Sequence, residues 1–173
     1  MNNYEKRYFK RLYKFYDNNL SNFKTVMKDT NKSLVTVYPE DYNCMSYALG
    51  IYDTWGYLKS FDKSYDTAFY GDVDEDLMAD IFHSCCMELE ERFSLRRVEG
   101  PDVVLGENER MIAFRISGDD FHFARKNSDN VWTHKPGSQK IKEMSREELL
   151  GEEWCSHRDF PYISEIAFFA IID

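Results

Sequence analysis

The sequence lacks the long apolar run that a membrane span requires. No stretch of its 173 residues approaches about 18 uncharged apolar residues. Residues 1–16 alternate charged with aromatic side chains, where a signal peptide would have an apolar segment. We therefore expect a soluble protein that stays in the cytoplasm and has no membrane partner.

Positive charge is also in short supply. The chain has 22 Lys and Arg against 31 Asp and Glu, a formal charge of −9. That excess of negative charge disfavours direct contact with nucleic acid phosphates or with anionic lipid. A neutral or basic protein partner remains compatible with the composition.

The cysteines lack the regular spacing of a disulfide framework, and the sequence contains only four of them: Cys44, Cys85, Cys86 and Cys155. Adjacent cysteines such as Cys85 and Cys86 make a poor disulfide with one another. In a protein that is not secreted, free thiols are expected.

Aromatic residues are abundant, at 16% of the chain, and they supply the apolar surface that a folded core needs. The length suits one domain over residues 1–173. Apolar positions three and four residues apart predict an amphipathic helix over residues 1–30 that covers the core formed by residues 31–173.

The middle of the chain reads as a strand followed by helices. Residues 34–38 form a short β-branched run that Pro39 ends. A helix is predicted to begin at Cys44 and to run past Gly50, which suggests close packing at that glycine. A polar loop over residues 60–74 precedes a second helix over 75–93, with Cys85 on its buried face. Residues 100–110 connect to a β-rich half.

That half contains the predicted strands 111–116, 121–126, 131–135 and 163–172, the last of which is apolar enough for a central strand. Ser145 to Glu148 resembles a capping box that opens a short helix. The sequence therefore predicts an α+β fold, with N-terminal helices packed on an antiparallel sheet.

Cys44 is placed where thiol chemistry is favoured. A free cysteine with a pKa near about 8.5 is mostly protonated at neutral pH, so a nucleophile needs a base and a group that orients the base. The start of a helix favours an anion only modestly, by about 0.3–1 kcal/mol. A partner histidine is therefore required.

His122 and His134 occupy successive predicted strands. If residues 128–130 form a three-residue loop with Asn130 in the left-handed region, residue 124 pairs with 134, and the two histidines are diagonal neighbours on one face. A loop of two or four residues would place them on opposite faces. The parity of this loop decides whether the two histidines meet.

The segments around these residues resemble papain-like amidases of the NlpC and CHAP types. Residues 43–50, Asn-Cys-Met-Ser-Tyr-Ala-Leu-Gly, are similar to the nucleophile helix of those enzymes. In the NlpC-type family a histidine follows on a core strand, and a third polar residue lies about a dozen positions later. Cys44, His122 and His134 match this order, and the segment Thr133 to Gly137 suggests a rim loop that contacts substrate.

The resemblance implies a cysteine peptidase or amidase that needs no cofactor or metal and cleaves a peptide or other amide. Cys44 is then the nucleophile, His122 its base, and His134 the group that orients the base. No glutamine stands shortly upstream of Cys44, which leaves the Cys44 N–H and the side chains of Asn43 or Tyr42 as oxyanion donors. Trp132 shares the histidine face, where it either stacks on substrate or packs in the core.

Two other functions are compatible with the same residues. Cys44, His122 and His134 are zinc-ligand types, and a second set comprises His83, Cys85, Cys155 and His157, but neither set has a recognised zinc spacing. The other alternative is a non-catalytic acidic protein, for example an inhibitor, on the same scaffold. Its support is the general negative charge.

Overall fold

A computed structural model describes residues 42–50, 56–61, 75–118, 120–127, 129–137, 139–154 and 161–172. The expected helix over 1–30 and the expected strand over 34–38 lie outside these ranges. So do most of the expected loop at 60–74 and two of the candidate zinc ligands, Cys155 and His157. The described residues include Cys44 and both histidines of the expected triad.

Helix α1 (Cys44–Leu49) begins at the cysteine, as the sequence predicts. Asn43 caps it, because its Oδ1 accepts the N–H of Ser46 at 3.0 Å and so satisfies a donor that the first turn leaves without an intrahelical partner. Every residue of α1 is buried. The cysteine is therefore fixed at the start of a short, fully packed helix.

The prediction that α1 continues through Gly50 is wrong. Gly50 has φ 72°, in the left-handed region, and its N–H turns back to the carbonyls of Ser46 and Tyr47. Glycine adopts this conformation without the steric penalty of a side chain, so it ends the helix. A Cβ at Gly50 would also lie 3.0 Å from Nη2 of Arg110, whose guanidinium bonds to the carbonyl of Ala48. The apolar positions predicted on later turns, residues 51–55, lie outside the described ranges.

Helix α2 (Glu75–Phe93) has the bounds that the sequence predicts. Phe82 stacks on Phe114 of the sheet, with ring centroids 5.7 Å apart. Cys85 lies in the core, as expected. The buried residues of α2 are Ile81, Phe82, Cys85, Cys86 and Leu89, and the partly buried Leu77 and Phe93 pack beside them.

Six strands form one antiparallel sheet. They are β1 (Arg96–Val98), β2 (Glu109–Ile116), β3 (Phe121–Lys126), β4 (Trp132–His134), β5 (Lys142–Met144) and β6 (Ala167–Ile172). Their order across the sheet is β1-β6-β2-β3-β4-β5, and all neighbours are antiparallel. Helix α3 (Arg146–Leu150) follows β5 and opens with the expected capping box between Ser145 and Glu148. The described chain is therefore α+β.

The predicted strands differ from the observed ones mainly at their ends. β3 has the predicted bounds, β2 begins two residues earlier than expected, and β4 is one residue shorter at each end. The last strand begins at Ala167, four residues after the predicted Ile163, and lies between β1 and β2. The sequence does not predict β1 or β5, which occupy the two edges of the sheet.

The sheet separates two apolar clusters. Ile112, Phe114 and Phe123 face α1 and α2, whereas Met111, Ala113 and Ala124 face the other side. This alternation follows from the two-residue period of a strand. Leu149 of α3 and two later aromatic residues, Trp154 and Tyr162, cover the second face.

Candidate active site

The hairpin of β3 and β4 brings His122 and His134 together. Ala124 pairs with His134, which is the register that a three-residue loop predicts, and Asn130 has φ 64°. Asn127 and Val131 close the loop with an N–H to carbonyl bond of 2.9 Å. Nε2 of His122 lies 2.8 Å from Nδ1 of His134. The two imidazoles therefore share one hydrogen bond, as the parity argument requires.

Aromatic residues hold the His122 ring on the second face of the sheet. Tyr162 stacks on the ring with centroids 5.1 Å apart and planes at 19°, and Trp154 meets it edge-on at 6.0 Å. Tyr162 is itself fixed, because its hydroxyl donates to Oδ2 of Asp120 at 3.0 Å. His122 is only 3% exposed. A histidine held on several sides has one orientation, and a general base needs this property.

The environment of His134 sets the roles of the ring nitrogens. Burial lowers the pKa of His134, and the nearby positive charge of Lys142 lowers it further. His134 is therefore neutral at pH 7 and can accept a hydrogen bond through Nδ1. If His122 donates that bond from Nε2, its remaining basic nitrogen is Nδ1.

Cys44 approaches this pair from the other side of the sheet. Its cluster contains Phe123 and, at the margin, Phe121, whose side chains alternate with that of His122 along β3. The Sγ–H of Cys44 donates to the carbonyl of Phe121 at 3.6 Å, and the sulfur also accepts from the backbone of Phe123. The thiol is thus hydrogen-bonded to the backbone of the two residues that precede and follow His122 in the sequence.

The thiol reaches that backbone because β4 is short. The pairings of β3 with β4 end at Ala124, so β4 offers no pairing partner to residues 121–123. The backbone groups of alternate strand residues point to the same neighbour. The hydrogen bond from Thr133 Oγ1 to Arg125 O at 3.4 Å shows that the odd-numbered residues of β3 point toward β4. Cys44 therefore occupies the edge of β3 where the next residues of β4 would otherwise pair.

Burial makes the resting thiol a weak acid. The pKa of Cys44 is raised to about 12, first because burial removes water from the thiolate and second because Asp120 is nearby. Three groups oppose that rise, namely the backbone N–H groups of Phe123 and Met45 and the charge of Lys135. The helix contributes little beyond the Met45 N–H, since α1 has only six residues. In the free protein Cys44 is a protonated thiol at neutral pH.

The other residues expected at the site have structural contacts of their own. The Asn43 amide donates to the carbonyl of Gly56 at 2.7 Å, and its oxygen accepts two backbone N–H groups. The Tyr42 ring lies under the Lys135 ammonium at 4.6 Å. Trp132 is 5% exposed and packs edge-on against Phe168. Asn43 and Tyr42 therefore help to hold the start of α1, whereas Trp132 packs in the second core cluster.

Sequence reasoning misses several residues of the site. The sequence indicates Lys135 only as part of a rim loop, yet its side chain is fully buried and its charge lowers the pKa of Cys44. Asp120 precedes His122 by two residues, a weak local signal for a polar group near the base. No local signal indicates Trp154 and Tyr162, because both lie far from His122 along the chain. They pair with one another in an isolated β-bridge.

Two surface pockets lie away from Cys44 and the two histidines. They have volumes of about 460 and 410 Å³, and Trp132, expected at the site as a substrate contact, is among the residues that line the second. Within the described ranges, no group of three or more His, Cys, Asp or Glu side chains is arranged to hold a metal ion. No helix in the described part of the chain is long and apolar enough to cross a membrane.

Comparisons with models of protein families, with curated proteins and with solved structures find no match. The likeness to NlpC-type enzymes therefore depends on the residues quoted above. What Cys44, His122 and His134 can do follows from their own geometry.

Proposed function

We propose that this protein is a papain-like thiol hydrolase that cleaves a peptide or other amide bond through an acyl-enzyme on Cys44. Two observations carry the proposal: the 2.8 Å hydrogen bond between His122 and His134, and the bond that the Cys44 thiol donates to the carbonyl of Phe121, the residue that precedes His122. A nucleophile, a base and a group that orients the base are the three parts that thiol catalysis needs.

In the first step the sulfur of Cys44 attacks the carbonyl carbon of the amide while the thiol proton moves to Nδ1 of His122. The carbonyl electrons move to the oxygen. When the C–N bond breaks, His122 returns the proton to the leaving amine and a thioester remains on Cys44. Water, deprotonated by His122, then attacks the thioester and releases a carboxylic acid and the free thiol.

The raised pKa of Cys44 determines when the proton moves. A thiol with a pKa of about 12 does not rest as a thiolate beside an imidazolium. Proton transfer is therefore coupled to attack on the substrate carbonyl, as it is for a serine nucleophile.

His134 orients the base and stabilises its cationic form. As a neutral acceptor, its Nδ1 fixes the His122 tautomer and stabilises the positive charge that forms on His122 during attack. The Asn43 amide is committed to Gly56. The backbone N–H of Cys44, at the start of α1, is therefore the oxyanion donor that we favour.

A small activated ester tests the proposal without knowledge of the natural substrate. We expect p-nitrophenyl acetate to transfer its acetyl group to Cys44, which intact-protein mass spectrometry and peptide mapping would detect. Cys44→Ser and His122→Ala should each abolish the modified peptide. The exposed histidine of α2 provides a matched control, so His83→Ala should acetylate as the parent does.

Two outcomes would contradict the hydrolase. One is acetylation of Cys85 or Cys86 at the rate of Cys44, since both thiols are buried in α2 with no described histidine partner and burial raises the pKa of each. The other is acetylation of Cys44 that does not depend on His122.

A non-catalytic binding protein is the second candidate function, and the burial of Cys44 favours it. The thiol is 5% exposed, and desolvation is the main reason for its raised pKa. On this alternative the −9 charge attracts a basic protein partner and the triad residues only pack. Absence of any acetyl transfer to Cys44, with the fold intact, would favour this alternative.

A further inference from the structure

A lysine ammonium is buried beside the proposed nucleophile. Lys135 follows His134 at the end of β4 and has no exposed surface. Lysine is among the residues least often fully buried, because removing an ammonium from water is costly. Its Nζ donates to the carbonyl of Gly137, which turns the chain back with φ 49°. The turn after β4 thus holds the amine in a defined place.

The same ammonium is linked to the residues that precede Cys44. Nζ lies 4.6 Å from the centroid of the Tyr42 ring, a cation–π geometry, and Tyr42 is two residues before the cysteine. Tyr42 is itself buried and contacts the Tyr47 ring of α1, with centroids 6.4 Å apart. Lys135 therefore connects the His134 strand to the segment that begins the nucleophile helix.

Charged groups reach Cys44 from each element packed against α1. Asp120 approaches from the turn before β3 and Lys135 from the end of β4. Two arginines lie at the opposite end of α1, where Arg125 bonds to the Tyr47 carbonyl and Arg110 to the Ala48 carbonyl. Among the described residues, His122 of β3 and His134 of β4 are titratable groups on the two strands that contact α1. Among these described groups, Lys135 is the cation whose charge lowers the pKa of Cys44.

We propose that Lys135 is a positioning residue of the hydrolase, a fixed buried cation that stabilises the negative charge on Cys44 when its proton leaves. This inference rests on the proposed function for its catalytic meaning. The electrostatic effect of Lys135 on the Cys44 thiolate can be measured without any turnover of substrate. A positive charge held in a medium of low dielectric favours the thiolate over the thiol.

The rate of Cys44 alkylation by iodoacetamide between pH 7 and pH 9 tests the proposal, with each cysteine quantified by peptide mapping. The thiolate is the reacting species, so a rise of one unit in the thiol pKa lowers the rate about tenfold. We expect Lys135→Met to slow Cys44 by about tenfold. Lys135→Arg, which keeps the charge, should stay within about threefold of the parent.

Cys85 and Cys86 serve as internal controls, because both are buried in α2 and are not among the residues whose pKa Lys135 influences. If Lys135 only supports the fold, its loss opens the core, and all three thiols react faster. If Lys135 stabilises the thiolate, Cys44 alone slows. Lys135→Gln, which can still donate to the Gly137 carbonyl, replaces Lys135→Met if the latter does not fold.

An unchanged or faster Cys44 rate in the neutral variant would overturn the proposal, as would an arginine variant as slow as the neutral one. These results are separable from failure of the hydrolase itself. Acetyl transfer to Cys44 with no effect of Lys135 would reject only the lysine's role. Slower alkylation in a protein that never accepts an acetyl group would reject only the enzyme.

Discussion

At the scale of single residues, the site is an arrangement of buried polar groups whose charges oppose one another. Asp120 raises the pKa of Cys44, while Lys135 and backbone N–H groups lower it. Burial exceeds both effects and leaves the thiol neutral, and burial also favours the neutral form of His134. The proposed catalysis therefore depends on how readily the thiol ionises when substrate arrives.

Removal of the Asp120 charge should make Cys44 more reactive. Asp120→Asn keeps the oxygen that accepts from Tyr162 but removes the negative charge that raises the Cys44 pKa. We expect iodoacetamide to react with Cys44 roughly threefold faster or more at pH 8. Asp102→Asn is the control, because Asp102 is exposed and pairs with Arg146. An unchanged or slower rate in Asp120→Asn would contradict the charge balance described here.

His134 should make stability depend on pH. Because burial lowers its pKa below 6.5 in the folded state, the unfolded chain binds a proton first as the pH falls through about 6.5. Stability is therefore unaffected by this group above that pH and declines below it. Urea unfolding at pH 7.5, 6.5 and 5.5 should show the decline, and His134→Asn should show a smaller one. Equal slopes in the two proteins would contradict a buried, neutral His134.

At the scale of elements, the thiol depends on a close approach between α1 and the segment after it. A Cβ at Gly56 would lie 2.5 Å from the Met45 Cβ and 2.8 Å from the Asn43 oxygen that caps the helix. Real Cβ atoms do not approach so closely, and the neighbours are buried. The start of α1 therefore requires glycine at this position.

Gly56→Ala should destabilise the fold by about 1–3 kcal/mol, since either α1 or its cap must shift. We expect a lower urea midpoint and an altered rate of Cys44 alkylation. Gly100→Ala provides a matched control, because a Cβ there would meet nothing within 4 Å. Equal midpoints for the two variants would show that α1 can move without loss.

Elements with strong local signals could be predicted, and the others could not. The apolar period of α2, the alternation in β3 and the Ser145 capping box gave correct positions. The β1 and β5 strands have three residues each and are mostly charged and exposed, so they form only because β6 and β4 offer them an edge. Gly50 ends α1 through a backbone conformation that a periodic apolar pattern does not reveal.

The residues of the candidate site also divide into those that a local sequence pattern predicts and those that it does not. Loop parity predicted the pairing of His122 with His134, because a hairpin register is a local property. The Tyr162 stack, the Trp154 edge and the buried Lys135 are set by distant packing, and no local pattern indicates them. The position of the thiol on the opposite face of β3 is also a tertiary result.

At the scale of the whole molecule, Arg115 joins the sheet to the segment that covers its second face. Its guanidinium donates to the carbonyls of Ser164, Gly151 and Glu152 and lies 5.7 Å from the Trp154 ring centroid. The same segment carries the aromatic residues around His122. Arg115 therefore fixes the segment that packs around His122.

Arg115→Met should destabilise the protein by roughly 2–4 kcal/mol, because it leaves buried carbonyl oxygens without donors. Urea unfolding measures the loss. Arg146→Met, which breaks an ion pair exposed on the surface, should leave the midpoint unchanged. A similar midpoint for both variants would mean that the covering segment does not depend on Arg115.

The central claim is that His122 removes the proton of Cys44, and stopped-flow kinetics with p-nitrophenyl acetate test it most directly. We expect a burst of p-nitrophenolate of about one equivalent in the parent protein, with an acylation rate that falls by about 10²–10⁴ in His122→Ala and a burst that disappears in Cys44→Ala. Acylation of His122→Ala at the parental rate, or a burst that survives in Cys44→Ala, would contradict it.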